Sequence, residues 1–396
     1  MEVPFKLAPL VPQLHQSDYA SEGIPFVMPR DIVDGRVNEA TVARVPEGKA
    51  QQLSRHFLTS GDIVFPRRGN IGKCALIGVE QDGFLCGSGC LKIQIPDEVY
   101  LPRFLYYYLG LRQTVEWLER NAVGTTMLNL SEKIVGGLPI PIVALSLQQR
   151  IAAILSAYDD LIENNRRRIH LLEEAARLLY REWFVHLRFP GHERVRVIAG
   201  VPEGWERKRI PNVCETVGGG TPSTNVAEYW DGDITWVVPT DVTRNDCLVL
   251  LDSERKITEK GLRESSAKMV PAETILMTSR ASVGFFALVD QPVCTNQGFI
   301  NIIPHQNELR MYLLFNLMSR VDEIRGNAKG STYPEISKGR FREMDVIIPP
   351  EILVNEFSRV ANDIAQQVRC LKRVTLQLIK ARDLLLPRLM NGEIGV

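Results

Sequence analysis

The stretch GTTMLNLSEKIVGGLPIPIVALSLQQRI (Gly124–Ile151) decides how this chain is read, because its first part returns as GSTYPEISKGRFREMDVIIPP (Gly330–Pro350). Gly124-Thr125-Thr126 followed by Ser131-Glu132-Lys133 matches Gly330-Ser331-Thr332 followed by Ser337-Lys338-Gly339. Leu138-Pro139-Ile140-Pro141 then answers Val346-Ile347-Ile348-Pro349, and each copy runs into a long amphipathic segment. Towards the N-terminus, GIPFVMPRDI (Gly23–Ile32) returns as GDITWVVPTDV (Gly232–Val242), with Pro29-Arg30-Asp31-Ile32 on Pro239-Thr240-Asp241-Val242. A solenoid repeats every roughly 20–50 residues, so a period this long means two copies of a whole domain. Each copy alternates short β-rich runs with turn signals, which predicts an α+β globule. In the first, Ile24–Met28, Asp62–Phe65, Cys74–Val79 and Leu91–Ile95 read as strands and Leu101–Trp117 as a helix. In the second, Ile234–Val238, Thr274–Thr278, Gly284–Val289 and Phe299–Ile303 read as strands and Leu309–Ile324 as a helix.

The segments after each globule carry a different pattern. Apolar residues recur as Ile151, Leu155, Tyr158, Ile162, Ile169, Leu172, Ala176, Leu179 and Trp183, interrupted by Asn165. They recur again as Phe357, Val360, Ile364, Leu371, Val374, Leu378, Ala381 and Leu385, interrupted by Gln367. A narrow seam with alternating three- and four-residue spacing is coiled-coil patterning. At about 1.5 Å rise per residue, Ile151–Trp183 spans roughly 50 Å. Parallel and antiparallel pairing are both open to two such helices. Antiparallel pairing needs only short connections and puts the globules at opposite ends of a rod. Asn165 and Gln367 lie near the helix centres, where a polar seam residue fixes register, and they are expected to face one another. The expected organisation is a globule over 1–145, a long helix over 146–188, a second globule over 199–350 and a second long helix over 351–391.

Composition is that of an ordinary globular protein, 45% hydrophobic and 24% charged, with 47 basic and 47 acidic residues. No apolar run approaches a membrane span and no signal peptide opens the chain. Seven scattered cysteines, of which Cys86 and Cys90 are the one close pair, fit reduced thiols in a cytoplasmic protein better than a zinc site. Residues 1–145 carry 14 Lys/Arg against 15 Asp/Glu, and 199–350 carry 17 against 20. A non-specific nucleic-acid coat would need a broadly basic domain, so any such contact must use local basic clusters. Catalytic signatures are missing. Gly218-Gly219-Gly220-Thr221 lacks the Gly-Lys ending of a phosphate loop and reads as a flexible turn. No nucleophile elbow, metalloprotease helix or dinucleotide fingerprint occurs, and neither does the Asn/Asp-Pro-Pro-aromatic motif of amino-methyltransferases. Asp159-Asp160 and Glu173-Glu174 read as surface ion-pairing residues beside Arg166-Arg167-Arg168.

What remains are polar loops duplicated between the halves. Arg67, Arg68, Asn70 and Lys73 lie among glycines between two predicted strands, with Arg280 and Ser282 in the corresponding loop of the second half. Thr125, Thr126 and Asn129 lie in a hydroxyl-rich loop, matched by Ser331, Thr332 and Tyr333 and followed by Lys338 and Arg340. Cations, amides and hydroxyls of this kind hold phosphates and read base edges.

In this arrangement the chain resembles the specificity (S) subunits of Type I restriction-modification systems. The likeness covers essentially the whole chain. It rests on the repeated Gly-Thr/Ser to Leu-Pro-Ile-Pro run leading into Gln148-Gln149-Arg150-Ile151, on Pro202-Glu203-Gly204-Trp205 and Gly219-Gly220-Thr221-Pro222-Ser223, and on Asp160-Leu161-Ile162-Glu163-Asn164-Asn165. The first half departs from the pattern, starting at Met1-Glu2-Val3-Pro4 without a Trp or Gly-Gly-Thr-Pro opening, which suits a diverged or trimmed domain. The resemblance implies two similar target-recognition domains separated by two long helices forming an antiparallel intramolecular coiled coil. Each domain would read one half of a split duplex target, with the helices setting the unread gap. It further implies a non-catalytic, cytoplasmic DNA-specificity subunit without a cofactor of its own. Two modification (methyltransferase) subunits would bring S-adenosylmethionine, and restriction (translocase-nuclease) subunits ATP and Mg. Two other readings fit the residues: a coiled-coil adaptor presenting two protein-binding globules, which the acidic globules favour, and a fused methyltransferase, which lacks a cofactor fingerprint.

Overall fold

The computed structural model describes residues 6–7, 14–33, 35–69, 71–95, 99–124, 128–330 and 333–396. They form two compact units, one drawn from 1–161 and 378–396, the other from 162–377.

In the first unit, β-branched and aromatic runs give short strands in two sheets. Ile63–Pro66, buried throughout, pairs antiparallel with Ala75–Leu76 on one side and Cys90–Gln94 on the other, and Lys6–Leu7 extends the sheet beyond Cys90–Gln94. In the smaller sheet Ile24–Val27 lies between Ala43–Val45, antiparallel, and Leu85–Cys86, parallel. Ile63, Phe65, Leu91 and Ile93 pack against Leu105, Leu109 and Leu118.

The second unit repeats this topology with longer strands. Ile275–Thr278 lies between Phe286–Val289 and Phe299–Pro304, with Cys214–Gly218 outermost, and Val249–Leu250 is added beyond Phe286–Val289. Trp230–Val237 lies between Arg255–Ile257, antiparallel, and Val293–Thr295, parallel, with Met269–Val270 added at that edge. The registers agree residue by residue. Val64 opposes Lys92 as Leu276 opposes Asn301.

The helix predicted after the strands is broken in both units. Pro102–Leu109 and Arg112–Asn121 replace Leu101–Trp117, with Pro102 opening the first piece and Gly110 capping it. Leu309–Ser319 and Val321–Gly326 replace Leu309–Ile324. The break falls at Arg320, whose guanidinium donates to Glu323 at 2.7 Å and to the Asp345 carbonyl at 2.6 Å.

Two long helices, Leu145–Tyr180 (36 residues) and Glu351–Met390 (40 residues), run through both units, and the first continues as a π-helical turn over Arg181–Val185. They pair antiparallel. Within the first unit, Ile151 and Leu155 share a cluster with Leu385 and Leu389, and Asp159 accepts from Arg382 at 2.6 Å. Within the second, Ile169 and Leu172 share one with Ile364, Val368 and Leu371, while Tyr180 and Phe184 pack on Phe357 and Ala361.

The first helix keeps its predicted seam as far as Ala176, beyond which Tyr180 and Phe184 rather than Leu179 and Trp183 are the buried residues. Ile151, Leu155, Ile162, Asn165 and Ile169 are buried, and Tyr158, Leu172, Leu179 and Trp183 half-buried. The second is out of phase at every other position. Phe357, Ile364, Leu371, Leu378 and Leu385 turn inward, but the alternate places belong to Ala361, Val368, Thr375 and Arg382 rather than Val360, Gln367, Val374 and Ala381. Gln367 is exposed and Val374 is 40% exposed, so Gln367 does not share the buried seam with Asn165, which is only 8% exposed. At two turns the cause is chemical: Thr375 and Arg382 occupy seam positions, so the more apolar residues, Val374 and Ala381, lie one residue early, whereas at Gln367 the apolar choice, Val368, is the one that turns inward. Thr375 satisfies its hydroxyl on the Leu371 carbonyl at 2.7 Å.

Two acidic residues read as surface pairs are structural instead. Asp159 accepts from Tyr107 and Arg382. Glu173 is buried, accepts the Leu248 N–H and pairs with Arg177 at 3.2 Å, with burial raising its carboxyl above the usual range.

Candidate nucleic-acid interface

Backbone pairing brings the duplicated loops together in each unit. In the first, the Arg67 N–H donates to the Gly89 carbonyl at 2.8 Å, and the Leu130 N–H to the Arg67 carbonyl at 2.9 Å. Val123 and Asn129 exchange two backbone hydrogen bonds, closing the loop that begins at Gly124. The second repeats each link. Ser279 donates to Gly298 at 2.7 Å, Ile336 to Ser279 at 3.0 Å, and Lys329 and Glu335 exchange two bonds. Gly124 and Gly330 both have positive φ, 125° and 107°, which glycine adopts without a Cβ penalty. Ser131 and Ser337 each cap the short helix that follows. The loops of Arg67–Lys73 and of Asn129 are thus neighbours, as are those of Arg280–Ser282 and Tyr333.

The side chains divide into holders and free groups. Arg67 is half-buried and its Nε donates to Asn129 Oδ1 at 3.0 Å and the Leu130 carbonyl at 3.2 Å, so both residues tie one loop to the next. Arg68 and Lys73 are exposed. Arg280 is exposed with Glu335 at 3.7 Å, Ser282 is exposed, and Tyr333 is 68% exposed. Lys338 is exposed, and its Nζ lies where a Cβ on Gly218 would come within 3.0 Å. Arg340 turns away from it, donating to Asn327 at 3.0 Å beside Glu343. There it lines a cleft of about 780 Å³ with Arg207, Arg209, Arg320, Glu323 and Asp345. Arg320–Glu323 and Arg207–Asp345 pairing offsets much of the positive charge in that cleft. Asn70, Thr125, Thr126, Ser331 and Thr332 lie outside the described residues.

The glycine run after Cys214–Gly218 is not a flexible turn. A Cβ on Gly219 would sit 2.1 Å from the Asn296 carbonyl oxygen, and one on Gly220 2.2 Å from that of Ser266. The Trp236 indole donates to the Gly220 carbonyl at 3.0 Å and the Trp230 indole to that of Ser223 at 3.1 Å. Arg255, exposed, stacks over Trp230 with its guanidinium carbon 3.6 Å from the ring centre, a cation–π contact. This wall places the Thr221 hydroxyl against the side-chain carbonyl of Gln297, which it donates to. Sequence reading missed Gln297 and Arg255. The signal was the alignment of Gly298 with Gly89, both followed by a strand of the larger sheet.

Six cysteines are buried and Cys370 is exposed. Burial pushes the Cys86 thiol up to about 12 and the Cys90 thiol well above its usual value, which leaves both poor metal ligands and poor nucleophiles. Among the described residues no group of three metal-ligating side chains converges, and no helix is long and apolar enough to cross a membrane.

Comparison with known proteins agrees with this geometry. The family model for the Type I restriction modification DNA specificity domain matches twice, at residues 17–174 and 202–353. The specificity subunit of the Type I restriction enzyme MjaIX of Methanocaldococcus jannaschii is 35% identical over 192 residues, 46% of this chain and 44% of that protein. This match therefore spans less than half of that relative's length. The HindI specificity subunit of Haemophilus influenzae is 22% identical over 441 aligned positions, covering 95% of both chains. The crystal structure of a Type I restriction-modification S subunit from M. genitalium shares the fold, with a TM-score of 0.59 at 18% identity over 98% of this chain and 95% of that one.

Proposed function

The chain belongs to the Type I restriction modification DNA specificity domain family, and from that premise we propose that it reads a bipartite duplex target and carries the catalytic subunits to it. DNA recognition is the family's role, and the relatives are specificity subunits rather than catalysts. Each domain reads one half-site through its duplicated loop cluster, and the paired helices set the unread gap, as dimer geometry sets half-site spacing in other readers. Two modification subunits dock on the helices and domain flanks with S-adenosylmethionine, and methylate adenine N6 after flipping the base. Restriction subunits, using ATP and Mg, cut unmethylated DNA. This chain binds no cofactor of its own.

The observation that supports this reading best is the repetition of the same loop stitching, Arg67–Gly89–Leu130 and Ser279–Gly298–Ile336, beneath different exposed side chains. Local cations on an acidic background favour selective over indiscriminate binding. The test is enrichment from a random duplex pool by the chain assembled with its modification subunits. A motif split by a fixed gap is expected, and exchanging residues 199–350 for another recognition domain changes one half of it. No enrichment overturns the proposal in favour of an adaptor whose acidic globules bind protein; a change in both halves overturns the division of labour between domains.

A further inference from the structure

In each unit one side chain, exposed in the second and half-exposed in the first, stands at the tip between two strands, on a backbone that is fixed at both neighbours. In the second unit the tip is Asn296-Gln297-Gly298, between Val293–Thr295 and Phe299–Pro304. In the first it is Gly87-Ser88-Gly89, between Leu85–Cys86 and Cys90–Gln94. The Asn296 N–H donates to the Val237 carbonyl at 3.0 Å, and the Gly87 N–H to that of Val27 at 2.8 Å. Gly298 and Gly89 both accept from the arginine-loop backbone. A Cβ on Gly298 would come within 2.9 Å of the Pro239 ring, and one on Gly89 within 2.8 Å of the Pro29 ring, so neither glycine admits a side chain without displacement. The frames coincide; the residue between them is Gln297 in one and Ser88 in the other.

The surroundings of Gln297 suit contact with a nucleic acid. Its side chain is exposed and lies between the rigid Gly219–Ser223 wall, through Thr221, and the loop of Arg280 and Ser282, through the Ser279–Gly298 bond. Thr221 engages one lone pair of the amide carbonyl. The amide NH2 and the second lone pair remain, and together they match N7 and N6 of adenine in the major groove. Ser88, shorter and half-exposed, offers a single hydroxyl.

We propose that Gln297 and Ser88 are specificity-determining residues at matching positions of the two half-sites, and that Gln297 selects adenine. This rests on the reading of the chain as a bipartite DNA reader. The experiment is duplex enrichment with the full chain and its modification subunits, comparing wild type with Gln297→Ala, Gln297→Glu and Ser88→Gln, each checked for an unchanged melting temperature. Gln297→Ala is expected to lose roughly 5- to 150-fold discrimination at one adenine of one half-site. Gln297→Glu shifts that position towards cytosine, whose N4 donates to a carboxylate. Ser88→Gln alters a position in the other half-site only. A wild-type split motif that all three variants retain overturns this proposal and leaves the functional reading intact. Uniform loss of affinity without a change of base also overturns it, because it marks a structural role. If wild type enriches no motif, both fall.

Discussion

The two recognition domains solve the same buried position in opposite ways. Just before the central strand the first has Asp62 and the second Thr274; on the neighbouring strand the first has Lys92, opposite Val64, and the second Asn301, opposite Leu276. Lys92, 3% exposed, donates to the Phe57 carbonyl at 2.8 Å and lies 3.7 Å from Asp62, which itself accepts from the Thr59 N–H. Thr274 donates to the Pro271 carbonyl and Asn301 to the Thr295 hydroxyl, with no charge involved. One backbone frame thus accepts a buried ion pair or two neutral side chains that hydrogen-bond to other partners. Topology and glycine contacts hold the frame, and the side chains within it are free to diverge in charge.

The largest effect is expected from breaking the charged version. Lys92→Ala should cost the first unit about 3–5 kcal/mol, because it strands a buried carboxylate. Asp62→Thr with Lys92→Asn, which imports the second unit's solution, should recover most of that loss in denaturant unfolding followed by hydrogen exchange in Ile63–Pro66. A double variant no more stable than Lys92→Ala would mean the two frames are not interchangeable.

Next comes the stitch between loops. Arg67→Ala should weaken the first unit by about 1.5–3 kcal/mol, the range for hydrogen bonds to a charged donor, and speed exchange of the Leu130 amide. Ser279→Ala, at the matching position, keeps the backbone hydrogen bonds through which that residue joins the loops and should stay within about 0.5 kcal/mol, with the Ile336 amide unaffected. Equal effects at the two positions would erase the distinction between them.

A pH series separates the units further. Burial, opposed by the Thr59 N–H and the Lys92 charge, raises the Asp62 carboxyl above its usual range. A raised carboxyl contributes stability below the unfolded value near 4 and loses it as pH rises through the folded value. The first unit should therefore lose stability relative to its Asp62→Asn variant across that window. The second unit, with Thr274 there, should show no counterpart. A flat difference between wild type and Asp62→Asn would exclude Asp62 as the source.

The smallest effects lie on the helices. Asn165→Leu should raise the melting temperature, since it replaces a buried polar seam residue, whereas Gln367→Leu, on the exposed face, should change stability by no more than about 0.5 kcal/mol. A large loss from Gln367→Leu would return that residue to the seam.

Much of the fold was legible because duplication and periodicity are written in residue type. The strand runs, both long helices and most of the first seam follow from apolar spacing and repeated Gly and Pro, whereas the adjacency of the arginine and hydroxyl loops is visible only in the backbone pairing. The second seam was misread where Thr375 and Arg382 take core-facing places, since a hydropathy pattern cannot show a threonine satisfied by its own helix. Glu173 and Asp159 looked like surface charge because their partners, Leu248 and Arg382, are far away in sequence. Gly219 and Gly220 resembled a loose turn, and only the approach of Asn296 and Ser266 shows why no side chain fits. Gln297 has no local signature at all. Its significance comes from a frame that Gly298, Pro239 and Val237 build from separate strands.

The division of both long helices between the units also has a consequence for biosynthesis. The first unit includes residues 378–396, which a ribosome adds only after all of 162–377. At roughly 5–20 residues per second, that interval lasts on the order of 10–40 s. Throughout it, Ile151, Leu155 and Tyr107 await Leu385 and Leu389, whereas the second unit has every residue it needs as soon as the interval ends, before 378–396 are made. The domain translated first is therefore the one completed last, and during that delay a nascent chain has most need of a chaperone.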